Sequence, residues 1–381
     1  MIYADHNATS PLRPEARDAM QAVWDMGATN PSSVHTSGRA ARAVLEKARS
    51  AIGGAIGSRA EDVVLTSGGT EADNLAIHGI VAALEGKCTF LVSAIEHEAI
   101  AKPAAFSGAR VETAYVTPEG KIDLEDLAAR LSAWDHEAKG VPVLCLMLAN
   151  NETGVIQPVA EAAALVRQAE GLTVCDAVQG LGKIPVNVAM LGVDYLSLSA
   201  HKIGGPQGAG ALWHRAGAPL KAVQQGGGQE RGLRSGTENV AAFAGFHAAI
   251  EAALRDMPKY AKLSAYRDEM ERRLEEQAGV TIMGKGADRL AGTSNFALPG
   301  FAAETQVMAM DLAGVCISAG SACSSGKVKR SLVLLAMGAS DALAESAIRT
   351  SFGWNSTPED FKGVADAWLQ AAQRTVLKEK A

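Results

Sequence analysis

The sequence predicts an α/β layer fold with a mainly parallel sheet, followed by a smaller α+β region. Three observations carry this. Short apolar runs alternate with amphipathic helical stretches between residues 61 and 200, as in a sheet covered by helices. Residues 143–148 are continuously apolar, as expected of a strand buried on both faces. The pattern then changes near Met257-Pro258, where a charged helix and several short strand-like runs begin.

In chain order, the runs that predict strands are "EDVVLTSGG" (61–69), "CTFLVSA" (88–94), "VPVLCLMLANN" (141–151), "LTVCDA" (172–177) and "VDYLSLSA" (193–200). Amphipathic stretches such as "PVAEAAALVRQAEG" (158–171) separate most of them. Residues 220–245 are glycine-rich and polar in the middle, and such long loops in compact domains are commonly functional or mobile. Beyond Pro258, "RDEMERRLEEQ" (267–277) predicts a helix with a solvated face. Short strands are predicted at "VTIMG" (280–284), "TSNFAL" (293–298), "VCIS" (315–318) and "AIRTSFG" (347–353).

With 381 residues and 48% hydrophobic content, the chain can bury a large core. The net charge is −6, and acids and bases are interspersed without a basic stripe, which argues against nucleic acid as a partner. The opening "MIYADHNATSPLR" has neither an apolar signal segment nor an Arg-rich transit pattern. No run is long and apolar enough to span a bilayer, so a soluble cytoplasmic protein is expected. The 5 cysteines are scattered without metal-type spacing, which predicts neither a disulfide framework nor a structural metal site.

In parallel sheets, ligands collect beyond the carboxyl ends of the strands. "VVLTSGGTEADN" is a strand, a glycine turn and a helix start at about Thr70. Free N–H groups there, with a hydroxyl, can cradle a phosphate, although the spacing is not that of a Walker loop. The next strand runs into His97, and the one after it into Asn150-Asn151-Glu152, which also fits an Asx turn. Asp176 ends the strand at 172 and precedes Gln179; it could cap a helix or hold a charged ring nitrogen. "VDYLSLSAHK" delivers Ser199, His201 and Lys202. Each residue has a structural reading of its own. Together, a phosphate cradle, an aspartate and a lysine are what pyridoxal phosphate requires. A lysine in such a place titrates easily, because desolvation lowers its pKa.

Cys145, Cys175 and Cys316 lie in apolar runs and predict small core residues; Cys88 begins a strand without polar company. Cys323 differs. It sits in "ISAGSACSSGKVKRS", near Lys327, Lys329 and Arg330, where cations favour an exposed thiolate. Arg349, in "AIRTSFG", offers a guanidinium either to a substrate carboxylate or to an ordinary salt bridge.

Ten blocks in order carry a resemblance over essentially the whole chain. They are "YADHNATSPLRPEA", "NPSSVHTSGRAAR", "LTSGGTEADNLAI", "EHEA", "NNETGVIQP", "DAVQGLGKIPV", "SLSAHKIGGPQGAGAL", "RSGTENV", "GTSNFALPG" and "SAGSACSSG". Through them the chain resembles the cysteine desulfurases of the NifS/IscS type, in the class V aminotransferase superfamily of fold-type I pyridoxal-phosphate enzymes. The resemblance implies a large domain (14–257) with a mainly parallel seven-stranded sheet. It implies a small α+β domain made of residues 1–13 with 258–381, carrying the active-site cysteine loop.

The resemblance also implies roles. Lys202 would join the cofactor aldehyde, Asp176 would hold the ring nitrogen, Gln179 would lie near the ring hydroxyl, and His97 would stack on the ring and move protons. Gly69, Thr70, Ser199 and His201 would bind the phosphate, completed by Thr237 from the neighbouring subunit of a homodimer. Asn151 and Arg349 would hold the substrate carboxylate. Cys323 would accept sulfur as a persulfide and could serve transiently as an iron–sulfur ligand. The implied reaction takes L-cysteine to L-alanine, with Lys202 removing the α proton and the Cys323 thiolate attacking the substrate sulfur. Sulfur would pass to an iron–sulfur scaffold or another acceptor protein, a transfer that needs a flexible loop. Other class V activities, such as a selenocysteine lyase or an aminotransferase, and a non-catalytic assembly platform are the alternatives.

Overall fold

The computed structural model describes residues 1–320 and 330–375. The chain opens with a short strand, β1 (Ile2–Tyr3). Seven strands follow: β2 (Val63–Thr66), β3 (Cys88–Ser93), β4 (Arg110–Ala114), β5 (Val141–Cys145), β6 (Leu172–Asp176), β7 (Tyr195–Ser199) and β8 (Gly210–His214). They form one sheet in the order β2-β8-β7-β6-β5-β3-β4. Only β8 runs against its neighbours, and it pairs antiparallel with both β2 and β7. The carboxyl ends of β2, β3, β5, β6 and β7 therefore share one edge. The mainly parallel seven-stranded sheet matches the expectation; the edge strand β4 and the reversed β8 are additions to the predicted runs.

Alternation along each strand sorts its side chains onto two faces. Leu91, Leu144, Cys175 and Leu196 join an apolar cluster that includes Leu45, Ile52, Phe243 and Phe246 of the helices Thr36–Ala55 and Val240–Ala261. Their neighbours Phe90, Val143, Val174 and Tyr195 join a cluster with Leu75, Ile80 and Ile100 from the helices Gly69–Ala83 and Glu98–Phe106. Each fully buried side chain of this size contributes about 1.5–3 kcal/mol, so the sheet is a rigid platform.

The remaining strands are short: β9 (Thr281–Ile282), β10 (Thr293–Ala297), β11 (Val315–Cys316), β12 (Ser318–Ala319) and β13 (Ala347–Ser351). β12-β13-β10-β9 make an antiparallel sheet, while β11 pairs in parallel with β1. The predicted run 315–318 is thus split between two sheets. Ala4, Phe296, Ile348, Phe361 and Trp368 share one apolar cluster, so the first residues of the chain pack with the last part of it. Pro258 lies inside the helix Val240–Ala261. The charged helix is Leu263–Ala278, and it is less solvated than expected. Glu271 is buried and meets the buried Arg289 through two hydrogen bonds of 2.7 Å each.

Candidate active site

The shared strand edge borders a cavity of about 310 Å³. Nine of the expected residues line it: Gly69 and Thr70 after β2, His97 after β3, Asn151 after β5, Asp176 and Gln179 from β6, Ser199, His201 and Lys202 from β7. Arg349 reaches it from β13. Thr237 is exposed and does not line this cavity. Cys323, with Lys327 and Lys329, lies outside the described residues.

The backbone places these groups. The helix Gly69–Ala83 starts at the turn after β2, so its first N–H groups face the strand edge with a positive partial charge. Gly210 lets this turn pack against β8, since a Cβ there would meet the carbonyl carbon of Gly68 at 2.5 Å. Lys202 ends a single 3₁₀ turn, Ala200–Lys202, directly after β7. Gly204 follows at φ +82°, and a Cβ there would meet Arg13 Cγ at 2.7 Å and Trp354 Nε1 at 3.0 Å. The glycines after the lysine thus allow a turn that most side chains would obstruct.

Lys202 Nζ donates to the carbonyl oxygens of Asn7 and Ala8, at 2.7 and 2.8 Å. Asp176 Oδ1 accepts from the Val178 N–H at 2.8 Å. Burial raises its carboxyl pKa, while His97, this hydrogen bond and Lys202 pull it back. Asp73 lines the same cavity, and among the described residues its Oδ1 has no hydrogen-bond partner of good geometry. Burial lifts it well above the usual carboxylate range, and the Asp176 charge adds to this. Of the two carboxyls, Asp176 is the one that neighbouring cations and a backbone N–H favour as an anion. His97 Nδ1 accepts from the Ala99 N–H at 3.1 Å, which puts the proton of the neutral ring on Nε2. His201 Nδ1 lies 3.1 Å from Thr9 Oγ1. Burial, reinforced by the nearby lysines, lowers its pKa to about 4, so the ring is neutral.

Arg349 is 3% exposed in its side chain and pairs with Asp5 through Nη2 at 2.7 Å. Its Nη1 donates to the Asn151 carbonyl oxygen at 2.9 Å, and its Nε is buried without a hydrogen-bond partner among the described residues. Both readings of this arginine therefore hold: it makes a salt bridge, and it keeps a donor beside the cavity. The Asx turn is also present, with Asn150 Oδ1 accepting from the Glu152 and Thr153 N–H groups at 2.9 Å each. Glu152 does more than follow that turn. Its Oε2 accepts from Ser331 Oγ at 2.5 Å, and burial raises its pKa to about 7.

Sequence reasoning passed over Asn7, Asp73, Glu152 and Lys183. Asn7 and Lys183 lie in the blocks "YADHNATSPLRPEA" and "DAVQGLGKIPV", and the four-residue step from Gln179 to Lys183 was the available signal. Cys145 and Cys175 are buried as expected of core residues, but Cys316, also expected in the core, is partly exposed because its two-residue strand is short; Cys88 is buried too, and burial raises its pKa to about 11. Among the described residues there is no cluster of metal-ligating side chains, and no helix is long and apolar enough to cross a membrane.

Comparison with known proteins places this arrangement. The model of the class-V aminotransferase family matches residues 2–364. A cysteine desulfurase IscS of Dictyoglomus turgidum is 39% identical over 371 residues, covering 96% of this chain and 93% of that protein. An IscS-like cysteine desulfurase of Mycobacterium tuberculosis is 36% identical, covering 100% of this chain and 97% of its own length. A solved NifS-like protein from Rickettsia africae superposes with a TM-score of 0.88 at 32% identity, covering 98% of this chain and 99% of that one. The chain belongs to the class V aminotransferase family of pyridoxal-phosphate enzymes. Within that family it falls among the cysteine desulfurases of the NifS/IscS type.

Proposed function

We propose that the protein takes L-cysteine to L-alanine and leaves the sulfur on Cys323 as a persulfide, using pyridoxal phosphate. One observation carries the reading. An amine, Lys202, a carboxyl group, Asp176, and a helix N-terminus converge on one cavity. The donor set suits this cofactor. The N–H groups at Gly69 and Thr70, with Ser199 and the neutral ring of His201, would hold its phosphate. Asp176, whose charge His97, Lys202 and the Val178 N–H favour, would meet its ring nitrogen. The Gln179 amide would face its ring hydroxyl. When bound, the cofactor supplies a sink for the electrons released at the substrate α carbon.

The chain's own groups supply the rest. Arg349, through its Nε, and Asn151 would bind the substrate carboxylate. L-cysteine as the ligand is supported by a solved structure described as SspA in complex with cysteine, 27% identical with a TM-score of 0.80. Lys202 moves the proton at the substrate α carbon, and His97, with Nε2 protonated, serves a second proton transfer. The Cys323 thiolate attacks the substrate sulfur. The carbon–sulfur bond breaks with its electron pair going to carbon, which takes up a proton to become alanine, and the sulfur stays on Cys323.

Thr237, exposed and away from this cavity, would complete the phosphate site of a second copy in a homodimer. Residues 14–257 would form the large domain, and 1–13 with 258–381 the small one. An iron–sulfur scaffold or another sulfur-acceptor protein would receive the sulfur. The test is incubation with L-cysteine, measuring alanine and the mass of the Cys323 peptide. One sulfur gained on that peptide per first alanine supports the reading. Full-rate alanine formation by C323A without added thiol overturns it.

A further inference from the structure

Behind Lys202 stands a second buried lysine that this reaction scheme leaves unused. Lys183 is 7% exposed. Its Nζ donates to Gln179 Oε1 at 2.6 Å and to Asn7 Oδ1 at 3.0 Å. Among the described residues, no carboxylate pairs with it. A chamber of about 20 Å³ is lined by Lys183 and Lys202 together, space for a single water. Asp256 also lines this chamber, and its Oδ2 is taken by Arg13 Nη1 at 2.5 Å.

The two hydrogen bonds of Lys183 determine which way two amides point. With Oε1 of Gln179 accepting from Lys183, the Gln179 NH₂ faces the Asn7 carbonyl oxygen, at 3.0 Å. A flipped amide would set two acceptors against each other. With Oδ1 of Asn7 accepting from Lys183, the Asn7 NH₂ is left to donate to the Asn151 carbonyl oxygen at 3.2 Å and to Thr293 Oγ1 at 3.0 Å. The same Asn7 carbonyl oxygen accepts from Lys202 Nζ. One amine thus governs the orientation of the Gln179 amide, which lines the cavity, and the cradle in which Lys202 rests.

We propose that Lys183 is a positioning residue of the reaction centre: it orients the amides of Gln179 and Asn7 and, through them, the amine of Lys202. The inference rests on the proposed cofactor chemistry at Lys202. Burial and the charges of Lys202 and Arg349 push the Lys183 ammonium well below the usual lysine range, while its two hydrogen bonds fix where its N–H groups point. The titratable groups around it are Lys202, His201, His6 and Arg349, with the Arg13–Asp256 pair across the chamber. A lysine that only filled space would leave the titration of Lys202 unchanged on removal.

The experiment compares wild type, K183M, Q179L and the double variant. Three quantities are read: affinity of the cofactor-free protein for pyridoxal phosphate, the pH midpoint of the bound cofactor's visible absorption, and the melting temperature. K183M is expected to bind the cofactor about tenfold more weakly and to move the midpoint by about one pH unit. Q179L is expected to shift the midpoint in the same direction, and K183M is expected to add little in the Q179L background. K183Q, which keeps a neutral donor, is expected to recover part of the shift, and it replaces K183M should the latter not fold. A lowered melting temperature with an unmoved midpoint overturns the inference. So do fully additive effects of K183M and Q179L. If wild type binds no pyridoxal phosphate, the functional reading falls as well, and the two failures are told apart.

Discussion

The two sides of the cavity are built differently. On the sheet side, Asp176, Ser199 and Lys202 end or directly follow adjacent parallel strands, and their spacing is set by the backbone ladder between β6 and β7. On the opposite side, Arg349 lines the cavity and Glu152 follows the cavity-lining Asn151, and both are held by side-chain contacts between distant segments: Arg349 with Asp5, and Glu152 with Ser331. The sheet side is preorganised by burial on both faces of the strands. The opposite side depends on charges and a titratable carboxyl, so it responds more readily to substitution and to pH. Chemistry on the substrate α carbon is assigned to the rigid side, and substrate capture to the adjustable one.

Substitutions separate the two sides. Lys202→Ala removes the amine proposed to move the proton and is expected to lower alanine formation by at least about 10³-fold, with the fold intact by circular dichroism. Asp176→Asn keeps the shape and removes the charge. A loss of about 10²–10³-fold in kcat is expected, with little change in KM. Arg349→Lys, on the adjustable side, is expected to act mainly on KM for L-cysteine, raising it by about 10–100-fold, because the planar fork is lost. If Arg349→Lys lowered kcat and left KM unchanged, the division between the two sides would be wrong.

The smallest effect concerns pH. Glu152 has a pKa of about 7 in the folded protein against an ordinary value of 4.5. The folded state then binds the extra proton between those values. The associated stability is fully present below about pH 4.5 and is lost as pH rises through about 7. The loss is on the order of 3 kcal/mol across this window. Glu152→Gln is expected to flatten that slope in denaturant titrations run from acid to neutral pH. An unchanged slope would show that burial does not raise the Glu152 pKa above its ordinary value.

The sequence made the rigid side legible and the adjustable side only partly so. Apolar runs ending in Asp176 and Ser199 mark strand ends, because the change from apolar to polar coincides with the sheet edge. β4 escaped notice because it is an edge strand: Arg110, Val111 and Thr113 are exposed or nearly so, and no apolar run forms. β8 escaped because it begins with a glycine and lies within a glycine-rich stretch, and its reversed direction leaves no mark in composition. Asp73 sits on a helix, where a carboxylate suggests a solvated face, yet it is 1% exposed at the cavity. Asn7 and Lys183 meet across a separation of 176 positions, beyond what local pattern can encode. The salt bridge of Arg349 depends on Asp5 in the same way, on contact between the first and last parts of the chain.

The most direct test is chemical. Protein saturated with pyridoxal phosphate is reduced with borohydride, digested and mapped by mass spectrometry. The account predicts a pyridoxyl group on Lys202, with Lys183 unmodified. Modification of Lys183 in its place, or an unmodified Lys202 in folded and saturated protein, would contradict it.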